Sequence, residues 1–163
     1  MKILVFAKNQ WPAIRHLCGV LFNEMTMRTN RILLICSRGF ILFSALCLLA
    51  VSLMAFADPQ AVMNLVHVHL NNTDAFSSIR GVYGGVGLTL FISLVYLMRR
   101  ETQKGLVFLC LLWGFYALSR TITIFAEGAL GDFGTQWLIT ETAFFCLALT
   151  LWVLNRKAAS TVY

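Results

Sequence analysis

"ILLICSRGFILFSALCLLAVSLMAFADPQ" occupies Ile32 to Gln60. Its apolar run is long enough to cross a bilayer, which takes about 20 residues, and it is broken at Asp58 and Pro59. Charge enters the run at Arg38. That arginine lies about 9 Å along a helix from the start of the run, within reach of the membrane surface for a snorkelling side chain. Three more apolar segments follow the same pattern. One runs from Arg80 to Met98 and stops at "RRETQKG", the next from Gly105 to Ala126, and the last from Phe133 to Leu154, stopping at "NRK". The expected spans are therefore about 32–57, 80–98, 105–126 and 133–154. The expected fold is all-α: an integral membrane four-helix bundle.

Composition agrees. Of the 163 residues, 59% are hydrophobic and 12% charged, against about 25% charged in a soluble domain. The mean hydropathy is +0.77. A net charge of +6 raises the question of nucleic acid, but the distribution of the basic residues answers it. Lys2, Lys8, Arg15, Arg28 and Arg31 precede the first span, Arg99, Arg100 and Lys104 fill the turn between spans two and three, and Arg156 and Lys157 follow span four. All of these fall on one side of a four-span topology. The opposite connections hold Asp58, Asp74 and Asp132, with Glu127 at their edge. The positive-inside rule then places both termini in the cytoplasm. Its expected setting is a bacterial inner membrane, with the lipid bilayer as partner and no nucleic acid.

The membrane domain is expected over residues 31–157, with a short tail at 158–163. Before it, residues 1–30 carry apolar runs interrupted by Lys8, Pro12 and Arg15. Such a segment reads as an extension lying in the interface, with Trp11 and Phe22 at headgroup level. It shows no small-residue cleavage pattern of a signal peptide, and "MTMRTNRILL" looks like a natural start. The five cysteines hold no Cys-x-x-Cys pair, and none falls in an external connection. Thiol exchange needs access, so a disulfide oxidoreductase is excluded and the cysteines read as small apolar residues.

The long external connection, Asp58 to Ser78, contains His67 and His69. Histidines at i, i+2 share a face on a strand edge, but a catalytic zinc normally takes three protein ligands. They are weak metal candidates, and no cofactor is expected. "RGVYGGVG" opens the second span with Gly81, Gly84 and Gly85. Gly81 and Gly85 form a small-xxx-small pair that admits a neighbouring helix backbone.

Ionisable residues within spans are costly and seek partners in the bundle interior. In "SRTITIFAEG", Ser119 to Gly128, Arg120 and Glu127 are seven residues apart, about two helical turns, so they leave one helix face. The stripe Trp113, Tyr116, Arg120, Thr123 and Glu127 is expected to face Glu141 on span four and Arg80 and Tyr83 on span two. Comparable depths favour Arg120 with Glu141, and Arg80 with Glu127 nearer the rim. The candidate polar cluster is thus Arg80, Tyr83, Arg120, Glu127 and Glu141, either fixing helix register or binding a ligand.

At these positions "SSIRGVYGG", "ALSRTITIFAEG" and "ITETAFFCLAL" resemble, in that order, a bacterial family of small four-span membrane proteins catalogued as a domain of unknown function. The resemblance covers about Arg31 to Asn155. It falls on Arg80, Tyr83, Gly84, Gly85, Arg120, Glu127, Gly128 and Glu141, and Glu127 stands where the family more often has aspartate. It implies the four-span fold and the importance of the polar cluster, and it implies no activity.

Three functional classes follow from these residues. An accessory or small-ligand-binding module ranks first, with a larger membrane complex or a homodimer as its expected assembly. A small dimeric transporter using Glu141 and Arg120 ranks second, because four helices rarely enclose a path alone. An intramembrane enzyme ranks last, since no nucleophile triad or metal set is recognisable.

Overall fold

Asp58 and Pro59 end the first helix by local chemistry. Proline restricts the residue before it to extended backbone, and Asp58 sits at φ −142°, ψ 96°. Its Oδ1 accepts from the Gln60 N–H at 3.0 Å, which makes it the N-cap of the next helix with Pro59 in the first turn. The computed structural model describes residues 2–160, with side chains over residues 27–158. The side chains of Trp11 and Phe22, on which the expected interfacial seating rests, lie outside those described, as do those of most of the 158–163 tail.

The elements in chain order are α1 (Lys2–Ala57), α2 (Pro59–Asn64), α3 (Thr73–Ile79), a π-helical segment (Arg80–Gly85), α4 (Val86–Arg100), α5 (Thr102–Ala126) and α6 (Asp132–Ser160). No strand occurs among the described residues. Four helical stretches among them are long and apolar enough to cross a membrane: Met27–Ala57, Thr73–Arg100, Thr102–Ala126 and Asp132–Ala158. The chain is an all-helical, multi-pass membrane four-helix bundle. The second span departs from expectation by starting at Thr73, since α3 runs on through the π segment into α4. Asn72 starts it, accepting from the Ala75 N–H at 2.8 Å. A short polar N-cap inside a connection carries little hydropathy signal, so the apolar pattern alone placed the start too late.

The helices associate as two pairs, α1 with α4 and α5 with α6. One end of the bundle holds both termini and the α4–α5 turn, and is proximal below; the other is distal. The central core is built from Phe40, Ile41 and Ala45 of α1, Leu94 of α4, Leu106, Leu109 and Trp113 of α5, and Ala148 and Leu151 of α6. At the proximal end Asn155 Nδ2 donates to Ser37 Oγ at 2.8 Å, tying α6 to α1. A second, smaller core of Ala55, Val62, Met63 and Leu70 packs α2 and the following loop on the distal end of α1.

Close packing of α1 on the second span uses Gly84, one of the three expected packing glycines, together with Gly87, rather than the small-xxx-small pair Gly81 and Gly85. A Cβ at Gly84 would meet the Phe56 ring at 3.1 Å, and one at Gly87 would meet Ser52 Cβ at 3.0 Å, whereas Gly81 and Gly85 have nothing within 4 Å. The cause is the π turn: the Val86 N–H bonds back to the Gly81 carbonyl, one residue further than in an α-helix, which rotates the glycines relative to α4. Ser52 Oγ donates to the Gly84 carbonyl at 2.6 Å and pins that turn to α1.

The distal loop is organised by Gln60. Its Nε2 donates to Asn64 Oδ1 at 2.7 Å and to the Val68 carbonyl at 2.9 Å, and its Oε1 accepts from the Leu70 N–H at 2.9 Å. Gln60→Leu is expected to speed hydrogen exchange of the Leu70 amide about tenfold, the loss of roughly one net hydrogen bond. Mass-spectrometric exchange across residues 60–72 would check it, with the transmembrane helices unchanged.

Candidate functional site

Spacings of three and four along α5 put Trp113, Tyr116 and Arg120 on one stripe, and α6 brings Glu141 and Phe144 against it. Arg120 Nε donates to Glu141 Oε2 at 2.7 Å and Nη2 donates to Oε1 at 3.0 Å. This forked pair is the strong, directional form of arginine–carboxylate contact. Glu141 is 3% exposed, while the Arg120 side chain is 24% exposed. Burial of the carboxylate is offset by its use of both oxygens on a single cation. The arginine keeps one side toward the bundle surface.

Tyr116 lies within electrostatic reach of Tyr83, Glu141 and Arg120, so Tyr83 of the π segment joins the same neighbourhood from the other helix pair. Both phenols are substantially exposed, Tyr83 at 40% and Tyr116 at 42%. Just below, toward the bundle centre, Trp113 packs edge-on against Phe144 with centroids 5.1 Å apart. Trp113 is buried, yet its Nε1 has no hydrogen-bond partner among the described residues. An unpaired buried donor costs about 1–3 kcal/mol.

Burial falls off at this level. Beyond Trp113 no residue of α5 is buried, and on the distal half of α6 Glu141 is buried while its neighbours are not. On the other pair, α1 and α4 remain in contact through Ser52, Gly84 and Gly87. The distal parts of α5 and α6 are thus less covered than the central core, and the Arg120–Glu141 fork lies there with Arg120 partly exposed.

Arg80 and Glu127 are not drawn together. Arg80 Nε donates to the Phe56 carbonyl at 3.3 Å, in the last turn of α1. That carbonyl is an orphan, because the Gln60 N–H that would normally serve it bonds to Asp58 instead. A cation at a helix C-terminus is well placed to take it. Glu127 is exposed at the end of α5, beside Gly128 at φ +108°, a left-handed backbone that ends the helix. The expected Arg80–Glu127 pair assumed that spans two and three are neighbours at the rim. Instead the distal part of the second span packs on α1, and that carries Arg80 away from α5.

His67 and His69 are exposed on the loop after α2. His67 has φ +57°, so the two do not sit on the strand edge that would align them. Among the described residues no group of three His, Cys, Asp or Glu side chains is placed to hold a metal. Cys36, Cys47, Cys110 and Cys146 are free thiols. Sequence reasoning placed Tyr116 on the stripe without assigning it to the cluster, and it did not single out Trp113 as an unpaired donor. Spacing reveals a shared face, but only packing reveals which polar atoms lack a partner.

Residues 36–153 match the family described as a domain of unknown function, DUF4345. The chain belongs to that family, and the matched region includes every residue of the cluster. No curated protein and no solved structure matches the chain.

Proposed function

We propose that this member of the DUF4345 family is a membrane-embedded binding module that takes a small ligand into a distal cleft between its two helix pairs, with Arg120 as the recognition group and Glu141 as the residue that holds it. The observation that carries this reading is the asymmetry of the pair. Glu141 is buried with both oxygens bonded to Arg120, whereas Arg120 keeps part of its guanidinium side chain exposed. A fork that only set helix register would gain nothing from Tyr83 and Tyr116 beside it on the open side. The cluster residues Arg80, Tyr83, Arg120, Glu127 and Glu141 then divide by role. Arg120, Glu141 and Tyr83 serve the cleft, Arg80 caps α1, and Glu127 stands at the rim.

In this reading the distal end faces outward from a bacterial cytoplasmic membrane. Arg99, Arg100, Lys104, Arg156 and Lys157 all lie at or near the proximal end, the side that the positive-inside rule assigns to the cytoplasm.

The test uses a variant that keeps the fold. Replacing both members of a buried ion pair by apolar residues is often close to neutral for stability, so Arg120→Leu/Glu141→Leu should melt close to the wild type. Native mass spectrometry of the full chain, released from mild detergent, should show a small-molecule adduct on the wild type and none on the double variant. Equal adducts on both would overturn the reading. So would a stoichiometric protein partner retained equally by both with no small molecule on either, which would make the chain a subunit with a purely structural fork.

A further inference from the structure

We infer that the ligand of this cleft is a neutral amphipathic molecule whose polar head is a hydrogen-bond acceptor, entering from the surrounding hydrocarbon. The inference rests on the binding reading above and goes beyond it by assigning the chemical class.

The donors and acceptors at the site are unequal. A guanidinium carries five N–H donors and no acceptor. Two of the five are used on Glu141, which leaves three. The Trp113 indole is a donor only, and it is 4% exposed with no partner. The hydroxyls of Tyr83 and Tyr116 add two groups able to donate. On the acceptor side, the one carboxylate of the group spends both oxygens on Arg120. The tyrosine hydroxyls and the second lone pairs of Glu141 can still accept. The three remaining guanidinium N–H groups and the indole N–H are donors only, so a head group that brings oxygen acceptors meets them and one that brings only donors leaves them unmet.

Charge narrows the class further. Arg120 and Glu141 cancel, so an anion entering the cleft gains little net attraction while losing its hydration. A cation finds no uncommitted carboxylate at the fork, since Glu127 stands away from it, exposed at the end of α5. The head is therefore neutral, with a carbonyl oxygen, a stronger acceptor than an ether, rather than a carboxylate or phosphate. The body follows from the surroundings. Trp113 stacks edge-on with Phe144, and the Phe56 ring lies 3.1 Å from the Cβ position of Gly84. Tyr83 and Tyr116 take their exposure within bilayer-spanning segments, where the surrounding medium is lipid. An apolar chain can lie along those walls while its oxygen meets Arg120 and the indole.

The test follows the Trp113 indole N–H by NMR in full-length protein held in dodecyl maltoside micelles, whose head carries no carbonyl. Trp113→Phe assigns the resonance. Four probes are titrated: 2-undecanone, decanoate, undecane and 2-butanone. The expected result is that 2-undecanone shifts the indole signal and binds at least about tenfold more tightly than the other three, the worth of a hydrogen bond from a charged donor. Arg120→Leu/Glu141→Leu should remove that advantage.

Stronger binding of decanoate would overturn the neutral class while leaving the cleft as a binding site. Equal binding of undecane would overturn recognition through an acceptor. Equal binding of 2-butanone would overturn entry from the bilayer in favour of a water-soluble ligand. If no probe moves the signal and the double variant keeps the same adduct as the wild type, the binding reading itself fails.

Discussion

Glu141→Gln is expected to lower the thermal midpoint of the detergent-purified protein by about 6–12 °C, and Glu127→Gln to leave it within about 2 °C. The two substitutions are chemically identical and lie on the same side of the bundle, so their contrast isolates environment. At position 141 the change leaves Arg120 charged, since a guanidinium is not deprotonated in proteins. It also puts an amide N–H where the fork expects an acceptor. Breaking a buried pair by removing one partner costs about 3–5 kcal/mol. Partial exposure of Arg120 argues for the lower end, and about 3 kcal/mol corresponds to the stated range at 2–4 °C per kcal/mol for a chain of this size.

At position 127 no ion pair is lost, because Glu127 is exposed at the end of α5 and makes none with Arg80. A negative charge at a helix C-terminus is mildly unfavourable, so Gln there is neutral or slightly stabilising. Circular dichroism at 222 nm through a thermal ramp is the measurement. Equal midpoints for the two variants would mean that the fork contributes nothing net to the fold.

The four spans were legible because the bilayer imposes a rule that acts on each segment alone: about 20 apolar residues, with turn or charged residues at the ends. The meeting of Arg120 with Glu141 follows from a similarly local rule. Each residue has a depth fixed by its distance along its own helix, and consecutive antiparallel spans bring equal depths together. Arg80 and Glu127 obey the same depth rule and yet do not meet. Which helices are neighbours at the rim is a property of the assembled bundle, and there the π segment follows α1. The orphaned Phe56 carbonyl that attracts Arg80 arises from the Asp58 cap, a hydrogen bond that hydropathy does not register. Trp113 was legible as part of a stripe, but its unpaired Nε1 depends on what Phe144 and Tyr116 leave around it.

The glycines give the sharpest case of a pattern read one step out of register, and the second large effect. Gly87→Leu is expected to abolish monodisperse folded protein, whereas Gly81→Leu leaves the monomer fold intact. At Gly87 the added carbon would stand 3.0 Å from Ser52 Cβ and 3.6 Å from the Leu48 carbonyl oxygen. Neither neighbour can swing aside, because one is fixed to the α1 backbone and the other is that backbone. Even Ala forces the helix axes apart by a few tenths of an ångström, and overpacking of this kind costs about 1–3 kcal/mol. A leucine side chain adds more, and it also strains the Ser52 bond to the Gly84 carbonyl that holds the π turn. Gly84 is the intermediate position, since its close neighbour is the Phe56 ring, a side chain able to yield.

At Gly81 and Gly85 nothing lies within 4 Å. There Ala should raise the midpoint by about 1–4 °C, reflecting the roughly 0.5–1 kcal/mol by which glycine weakens a helix relative to alanine. Size-exclusion profiles and thermal midpoints of Gly81→Ala, Gly81→Leu, Gly87→Ala and Gly87→Leu would test the opposite signs. Equal losses at Gly81 and Gly87 would mean that the Gly81–Gly85 face is itself covered. Since none of the described residues covers it, the covering surface would belong to a second polypeptide, and the small-xxx-small pair would be an interface between chains rather than within one.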